Sequence, residues 1–203
     1  MGVRWAVDLG GDDYDLPGYW DSGAEGERWK YYRLNNWSHN TLVLNGHLQD
    51  AAAVTAISRS NLSESSPFGV VDLSAAYSRD AHSLHRGAAL LDNCGVLIQD
   101  EITWRADSNQ RAVRWQMMTD AEVTLDGAEA RLTKNRQFLR ACILSPYGAR
   151  FAIASPHQKA PQNPNTGFRQ LVTEHSASGV ETRIAVLLST KPLQLAMRAL
   201  SSW

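Results

Sequence analysis

The sequence predicts an all-β protein, an antiparallel β-sandwich of two large sheets with little helix. Short segments in which every second residue is apolar recur along the 203 residues, and Gly, Pro, Asn and Asp cluster between them. No apolar pattern of helical period extends beyond about three turns. Many short strands separated by turn signals are typical of sandwiches, so we expect residues 1–203 to form a single β-sandwich domain.

Several segments carry clear strand patterns. Residues 3–9 place an apolar side chain at every odd position, which indicates a half-buried strand, and a further strand is expected at residues 29–34. Segments on either side of short turns predict two hairpins, one with its turn at residues 92–95 and a last one with its turn at residues 176–179. Residues 61–67 are polar and are expected to form a loop.

The composition is that of an ordinary globular protein without a strong charge. Hydrophobic residues make up 43% and charged residues 20% of the chain, and the formal net charge is -1. A nearly neutral chain lacks the basic field of a general nucleic-acid binder, although a local cationic cleft for a polyanionic sugar is compatible with it. No apolar run approaches the roughly 20 residues of a membrane span, and residues 1–5 carry no export signal. We therefore expect neither nucleic acid nor a membrane as a partner.

The densest group of potential binding residues is the run RWKYYRLNNWSHNTL at residues 28–42. Aromatic rings offer flat apolar faces with a polar edge, and cations pair with acidic groups, so this mixture suits a polyuronic or sulfated sugar. The same mixture is also typical of a solvated edge strand. The residues alone leave both interpretations open.

His39 and Asp72 are the two single residues that most deserve a chemical interpretation. His39 precedes an apolar strand, where a lone histidine is more often structural. Asp72 lies inside the apolar run at residues 69–73, where a carboxylate must be paired, hydrogen-bonded or bound to a metal. Together they are suitable metal ligands, but a zinc site normally takes at least three protein ligands.

A series of short motifs runs along the chain in a fixed order. They are VRWAVDLG at residues 3–10, DY and LPGY within residues 13–19, RW and YR within residues 28–33, SHNTL at residues 38–42, DLSAAY at residues 72–77, QDEI at residues 99–102 and RWQM at residues 114–117. In order and spacing these motifs resemble the heparinase II/III-like polysaccharide lyases over most of residues 3–155. The His39-Asn40-Thr41 motif in its aromatic context is the most specific of them.

The resemblance implies the carboxyl-terminal half of a larger lyase. In that family an amino-terminal α/α toroid precedes the β-sandwich, and an anionic polysaccharide containing uronic acid, such as heparin or heparan sulfate, lies between them. A base removes the proton at C5, an acid protonates the leaving oxygen at C4, and neutralisation of the carboxylate stabilises the developing charge. The main base lies largely on the toroid, which this chain lacks, so the isolated chain is expected to be inactive. The resemblance also implies a periplasmic or extracellular location.

The resemblance assigns roles to individual residues. His39 matches the sandwich histidine that faces the cleft or helps to hold a metal; we take it as the catalytic candidate, and both roles stay open. Asp72 matches an aspartate that is a zinc ligand in metal-bearing members. The position of the third ligand, a histidine in close relatives, is Met118 here, and a thioether is a poor zinc ligand. The sequence therefore leaves zinc open as a cofactor.

Two functions from different classes follow. In the first, the region around His39 and Asp72 forms one side of a sugar groove in a lyase. The candidate substrate contacts beside His39 are then Trp29, Tyr32, Arg33 and Asn36. In the second, the chain is a carbohydrate-binding or structural β-sandwich without catalysis.

Overall fold

The computed structural model describes residues 2–62, 67–91, 94–193 and 195–203. Within these ranges the chain is almost entirely antiparallel β-structure, which confirms the predicted fold class. The strands are β1 Leu42–Leu44, β2 Ala56–Asn61, β3 Phe68–Asp72, β4 Ala81–Leu91, β5 Gly95–Trp104, β6 Ala112–Thr119, β7 Glu122–Asp126, β8 Glu129–Lys134, β9 Gln137–Ser145, β10 Ala152–Ala154, β11 Arg169–Ser176 and β12 Glu181–Ser189. Short 3₁₀ turns lie at Glu27–Lys30, Tyr32–Leu34, Ala75–Tyr77 and Leu200–Ser202.

The described strands form two sheets. The small sheet has the order β1-β6-β11-β10, and the large sheet has the order β2-β3-β4-β5-β12-β9-β8-β7. Neighbours in sequence pair directly at β2-β3-β4-β5 and at β7-β8-β9, as expected for a meander of hairpins. The chain crosses between the sheets several times, because β6 and β11 belong to the small sheet and β5 and β12 to the large one.

The core lies between the two sheets and follows from the alternation of side chains along each strand. One face of each sheet is aliphatic and aromatic, and these two faces pack together into a single buried cluster. Its fully or almost fully buried members include Leu42, Leu44, Trp115 and Leu171 from the small sheet and Leu84, Ile102, Ala141 and Ile184 from the large sheet. The sandwich is therefore held mainly by apolar burial between sheets.

Three expectations about local structure were wrong. Residues 3–9 form no strand, although Val7 is buried and donates one backbone hydrogen bond to the carbonyl of Met118 at 2.9 Å. The expected strand at residues 29–34 is two 3₁₀ turns. The last expected hairpin does not exist, because β11 pairs with β6 and β10 while β12 pairs with β5 and β9. The hairpin of β4 and β5 is confirmed. Its turn at residues 92–95 and the loop at residues 61–67 lie partly outside the described residues.

The end of the chain crosses the face of the large sheet that points away from the core. The Arg59 guanidinium donates hydrogen bonds to the carbonyls of Leu200 and Trp203 at 2.9 and 2.7 Å. Gly87 makes room for this segment, because a Cβ atom there would lie only 2.8 Å from Cζ3 of Trp203. Gln99 becomes fully buried beneath the segment and donates to the carbonyl of Arg198 at 2.8 Å.

Candidate functional site

The outer face of the small sheet carries the aromatic and amide cluster of residues 28–42. Side chains that alternate with the core residues of β6 point outward and bind this cluster. The Gln116 amide donates to the backbone carbonyls of Asn36 and His39 at 2.6 and 2.9 Å, and Gln170 on β11 donates to the carbonyl of Trp37. Arg114 donates in turn to the side-chain oxygens of both glutamines at 3.0 and 3.1 Å. A buried polar ladder thus fixes the backbone around His39.

Asn40 connects three parts of the protein at this point. Its side-chain NH₂ donates to the carbonyl of Val7 at 3.0 Å, and its side-chain oxygen accepts the N–H of Met118 at 2.7 Å. Its backbone carbonyl accepts a hydrogen bond from the Arg86 guanidinium, on the large sheet, at 2.8 Å. Because Asp8 follows Val7 and His39 precedes Asn40, these bonds bring Asp8 and His39 together.

His39 and Asp8 form a hydrogen-bonded pair at the surface. The Nδ1 atom of His39 lies 2.8 Å from Oδ2 of Asp8, and the two side chains are 42% and 48% exposed. Nε2 of His39 has no hydrogen-bond partner in the described part of the chain. A carboxylate that holds one ring nitrogen of a histidine orients the other toward whatever binds there, so the pair can give or accept a proton at Nε2.

The Asp8 carboxylate is stabilised in its charged form. Partial burial raises its pKa, but the backbone N–H of Gly10, which donates to Oδ1 at 2.8 Å, and the His39 ring together outweigh this effect, with a smaller contribution from Arg4. The pKa of Asp8 therefore lies below the usual aspartate value. Asp8 remains a negatively charged partner for His39 at neutral pH.

Trp29 and His39 border the same surface depression of about 210 Å³, together with Asn35, Leu48 and Gln49. The Trp29 indole N–H donates to the carbonyl of Gly23 at 2.7 Å, which fixes the ring at the rim. Of the predicted substrate contacts, Trp29 and the almost fully buried Asn36 line this depression with His39.

Tyr32, Arg33 and Asn36 have their polar groups turned toward the protein. The Arg33 guanidinium donates to the carbonyls of Leu9 and Gly11 at 3.0 and 2.9 Å and to Asn165 Oδ1 at 2.7 Å. Asn36 is only 3% exposed, and its amide bonds to backbone carbonyls. The Tyr32 hydroxyl is buried and has no hydrogen-bond partner among the residues that the structure describes; burial, countered in part by Arg114, raises the pKa of Tyr32 to about 12. In this arrangement the three side chains hold the loop, and their contact with a substrate stays a prediction.

Comparison with known proteins identifies the fold family. The sequence model of the family described as "Heparinase II/III-like, C-terminal" matches residues 1–177. The chain belongs to this family. Heparinase III, the BT4657 gene product, has a similar fold with a TM-score of 0.62 at 14% identity, over 83% of this chain and 27% of that one. Heparan sulfate lyase HepC from Pedobacter heparinus has a TM-score of 0.61 at 11% identity, over 78% of this chain and 25% of that one.

The heparinase II/III-like domain thus spans about a quarter of the length of the solved structures that it matches. A second crystal structure of heparinase III gives a TM-score of 0.62 at 12% identity with the same coverage. No curated protein matches the chain. In the part of the chain that is described, no helix has the length and apolar character needed to cross a bilayer.

The structure does not bring the three predicted metal positions together. Asp72 lies beside His85 on the next strand, with 3.9 Å between Oδ2 and Nε2, and its Oδ1 accepts the N–H of Ser74. Arg86 points inward to Asn40, so its neighbour His85 and the paired Asp72 point away from the core, on the outer face of the large sheet. The backbone of His39 is held on the outer face of the small sheet by Gln116. Asp72 and His39 therefore lie on opposite sides of the sandwich. Met118 is fully buried. Among the described residues, no group of three or more His, Cys, Asp or Glu side chains could hold a metal, so these residues do not fit zinc.

Sequence reasoning missed Asp8 and Arg86 as parts of this site. Asp8 lies in the motif at residues 3–10, but its partner His39 is 31 positions away and only the fold joins them. Arg86 lies two residues after the buried Leu84, on the same face of β4, and its guanidinium is paired with the buried carboxylate of Asp100 on β5. A cation in step with a core residue is the signal that could have found it.

Proposed function

We propose that this domain forms one wall of the substrate cleft of a polysaccharide lyase. The substrate is a polysaccharide that contains uronic acid, of the heparin or heparan sulfate type, and the reaction is β-elimination. The match of the family's carboxyl-terminal region to residues 1–177 carries the proposal. The exposed pair of His39 and Asp8 beside Trp29 supports it, because it places a proton-transfer group next to an aromatic surface.

In this mechanism His39 acts at the sugar through Nε2. β-Elimination needs a base for the proton at C5 and an acid for the leaving oxygen at C4. Asp8 fixes the ring through Nδ1, so Nε2 faces the cleft and can hold a proton close to the leaving oxygen or the uronate carboxylate. Trp29 provides a flat apolar face for the adjacent sugar ring.

The second half of the chemistry comes from outside this chain. The matched structures extend far beyond the part that this domain covers, and we assign the base that removes the C5 proton to an α/α toroid of the same parent protein. The isolated domain then has one wall of the cleft and no turnover. Because large acidic polysaccharides occur outside the cytoplasm, we place the parent protein in the periplasm or outside the cell.

The test is the formation of unsaturated uronate product, measured by its ultraviolet absorbance with heparan sulfate, heparin and alginate. The protein encoded by the entire reading frame that contains this chain is compared with its His39→Ala variant, and His82→Ala, another exposed histidine, is the matched control. We expect His39→Ala to lower turnover at least about 100-fold, the usual range for general acid–base catalysis, and His82→Ala to leave it unchanged.

Three outcomes would contradict the proposal. Turnover that survives His39→Ala would remove the proposed role of His39. Rapid turnover by the 203-residue chain alone would refute the assignment of the base to another domain. Binding of the polysaccharide without any product from the full-length protein would favour a non-catalytic binding module.

A further inference from the structure

A second concave surface lies on the outer face of the small sheet, beside the cluster around His39. It consists of two adjoining depressions of about 630 and 340 Å³, which share Arg114, Glu174, His175 and Ser176. We call it the sheet groove. It crosses from β10 to β1, and three interstrand spacings make its floor about 14 Å wide. Both volumes lie within or near the range of small-molecule sites. The distance across the strands from β10 to β1 suits a short chain of linked units.

Each of the two depressions has an aromatic residue in its lining. Tyr147, in the connection between β9 and β10, is fully exposed, and its neighbour Gly148 adopts a positive φ of 81° that tightens the turn. Trp37 lines the smaller depression, and its ring lies 5.6 Å from the Arg114 guanidinium carbon. The lining of the larger depression includes the small apolar side chains of Ala152 and Ala154. Aromatic faces beside small apolar side chains fit sugar rings, which present apolar C–H surfaces.

The charges along the sheet groove favour an acidic ligand. Its charged lining residues are Arg114, Arg150 and Glu174, and Glu174 is already paired with Arg114 at 2.5 Å. Arg150 is exposed and has neither an ion pair nor a side-chain hydrogen bond within the described ranges. The guanidinium is a planar donor that binds carboxylate or sulfate through two hydrogen bonds.

We propose that the sheet groove binds an acidic oligosaccharide, with Tyr147 and Trp37 as stacking faces and Arg150 as the anchor for a carboxylate or sulfate group. The choice of an acidic polysaccharide rests on the proposed function, whereas the groove itself does not. It would hold a stretch of the polymer away from His39 and keep the chain bound while the cleft acts on another part of it.

The test uses the 203-residue chain and size-defined heparan sulfate oligosaccharides, with affinity measured by calorimetry. We expect Tyr147→Ala and Arg150→Ala each to weaken binding about tenfold, and Arg150→Ala also to reduce its salt dependence. Arg79→Ala is the matched control, since Arg79 is likewise exposed and unpaired in the described part of the chain but lies outside the groove. A neutral cello-oligosaccharide should bind at least about tenfold more weakly than the acidic one.

Amide chemical-shift mapping of the wild-type chain gives an answer that needs no variant. Shifts at Ala152, Val172 and Tyr147 on addition of the oligosaccharide are expected. Shifts confined to the Trp29 and His39 region, or equal weakening by Arg79→Ala and Arg150→Ala, would overturn the proposal. The outcome is separate from that of the lyase test, because His39→Ala should leave binding in the sheet groove unchanged.

Discussion

The buried ion pair between Arg86 and Asp100 provides a quantitative test of how the site is held. Nε and Nη2 of Arg86 lie 2.6 and 2.9 Å from the two carboxylate oxygens of Asp100, and Nη1 donates to the carbonyl of Asn40 at 2.8 Å. Asp100 is fully buried and the Arg86 side chain is 15% exposed. Asp100→Ala therefore leaves a guanidinium without its counter-charge in a region of low dielectric constant.

The expected cost of Asp100→Ala is about 3–5 kcal/mol in the free energy of unfolding, since removing one partner of a buried pair is strongly destabilising. For a chain of this length that corresponds to a fall in Tm of roughly 6–20 °C. The double variant Arg86→Met with Asp100→Leu removes both charges and should recover most of the loss, apart from about 1 kcal/mol for the hydrogen bond to Asn40.

Urea unfolding followed by tryptophan fluorescence measures these changes. Asp107→Ala, which removes an exposed ion pair with Arg105, is the control and should leave the free energy of unfolding unchanged within error. Two results would refute the reasoning. One is a cost for Asp100→Ala below about 1 kcal/mol; the other is a double variant whose loss of stability equals the summed losses of Arg86→Met and Asp100→Leu measured singly.

Three other changes have defined outcomes. Tyr32→Phe should keep the free energy of unfolding or raise it by up to about 1 kcal/mol, because it removes a buried hydroxyl without a partner among the described residues. It should also remove the contribution of Tyr32 to the loss of stability expected as the pH rises from the ordinary tyrosine value of 10.0 through the folded pKa of about 12; urea unfolding at alkaline pH measures this change, and a variant that loses as much stability as wild type over that range would contradict it. Asp8→Asn should lower stability above the usual aspartate pKa, and its difference from wild type should vanish as the pH falls through the lowered folded pKa; a difference that persists at about pH 2 would contradict the assignment. Gly87→Ala should displace the segment that carries Leu200 and Trp203 and lower the free energy of unfolding by about 1–3 kcal/mol. The displacement should make Trp203 more accessible to a fluorescence quencher; unchanged quenching would show that the segment does not pack there.

Alternation along single strands was enough to predict the fold class and most strands of the large sheet. β4 ends and β5 begins with apolar residues on either side of a short turn signal, and the two strands pair as expected. The alternation at residues 3–9 was also real, since Val7 is buried and Asp8 is exposed, yet the segment makes too few backbone hydrogen bonds to count as a strand. A burial pattern reports which side faces the core, and it does not report whether a partner strand is present.

Pairing between distant segments was beyond the reach of the sequence. β11 and β12 are separated by a short turn signal, which favours a hairpin, but they enter different sheets. The same limit applies to the site: nothing near Asp72 in sequence shows that it faces His85 on the outer side of the large sheet. The family motif placed His39 in a polar, aromatic context, and only the fold revealed its partner Asp8.

The position of His39 depends on both sheets, and this makes stability and site geometry separable. The side chain of Asn40 fixes the loop to the small sheet through Met118, whereas its carbonyl is held by Arg86 from the large sheet. Replacing the buried ion pair with apolar side chains can therefore restore the packing of the sandwich without restoring the bond that holds the carbonyl of Asn40. In that double variant we expect the domain to stay folded while the pair of His39 and Asp8 loosens; that result would assign the buried charges to positioning the site, whereas an unchanged pair would assign them to the stability of the fold alone.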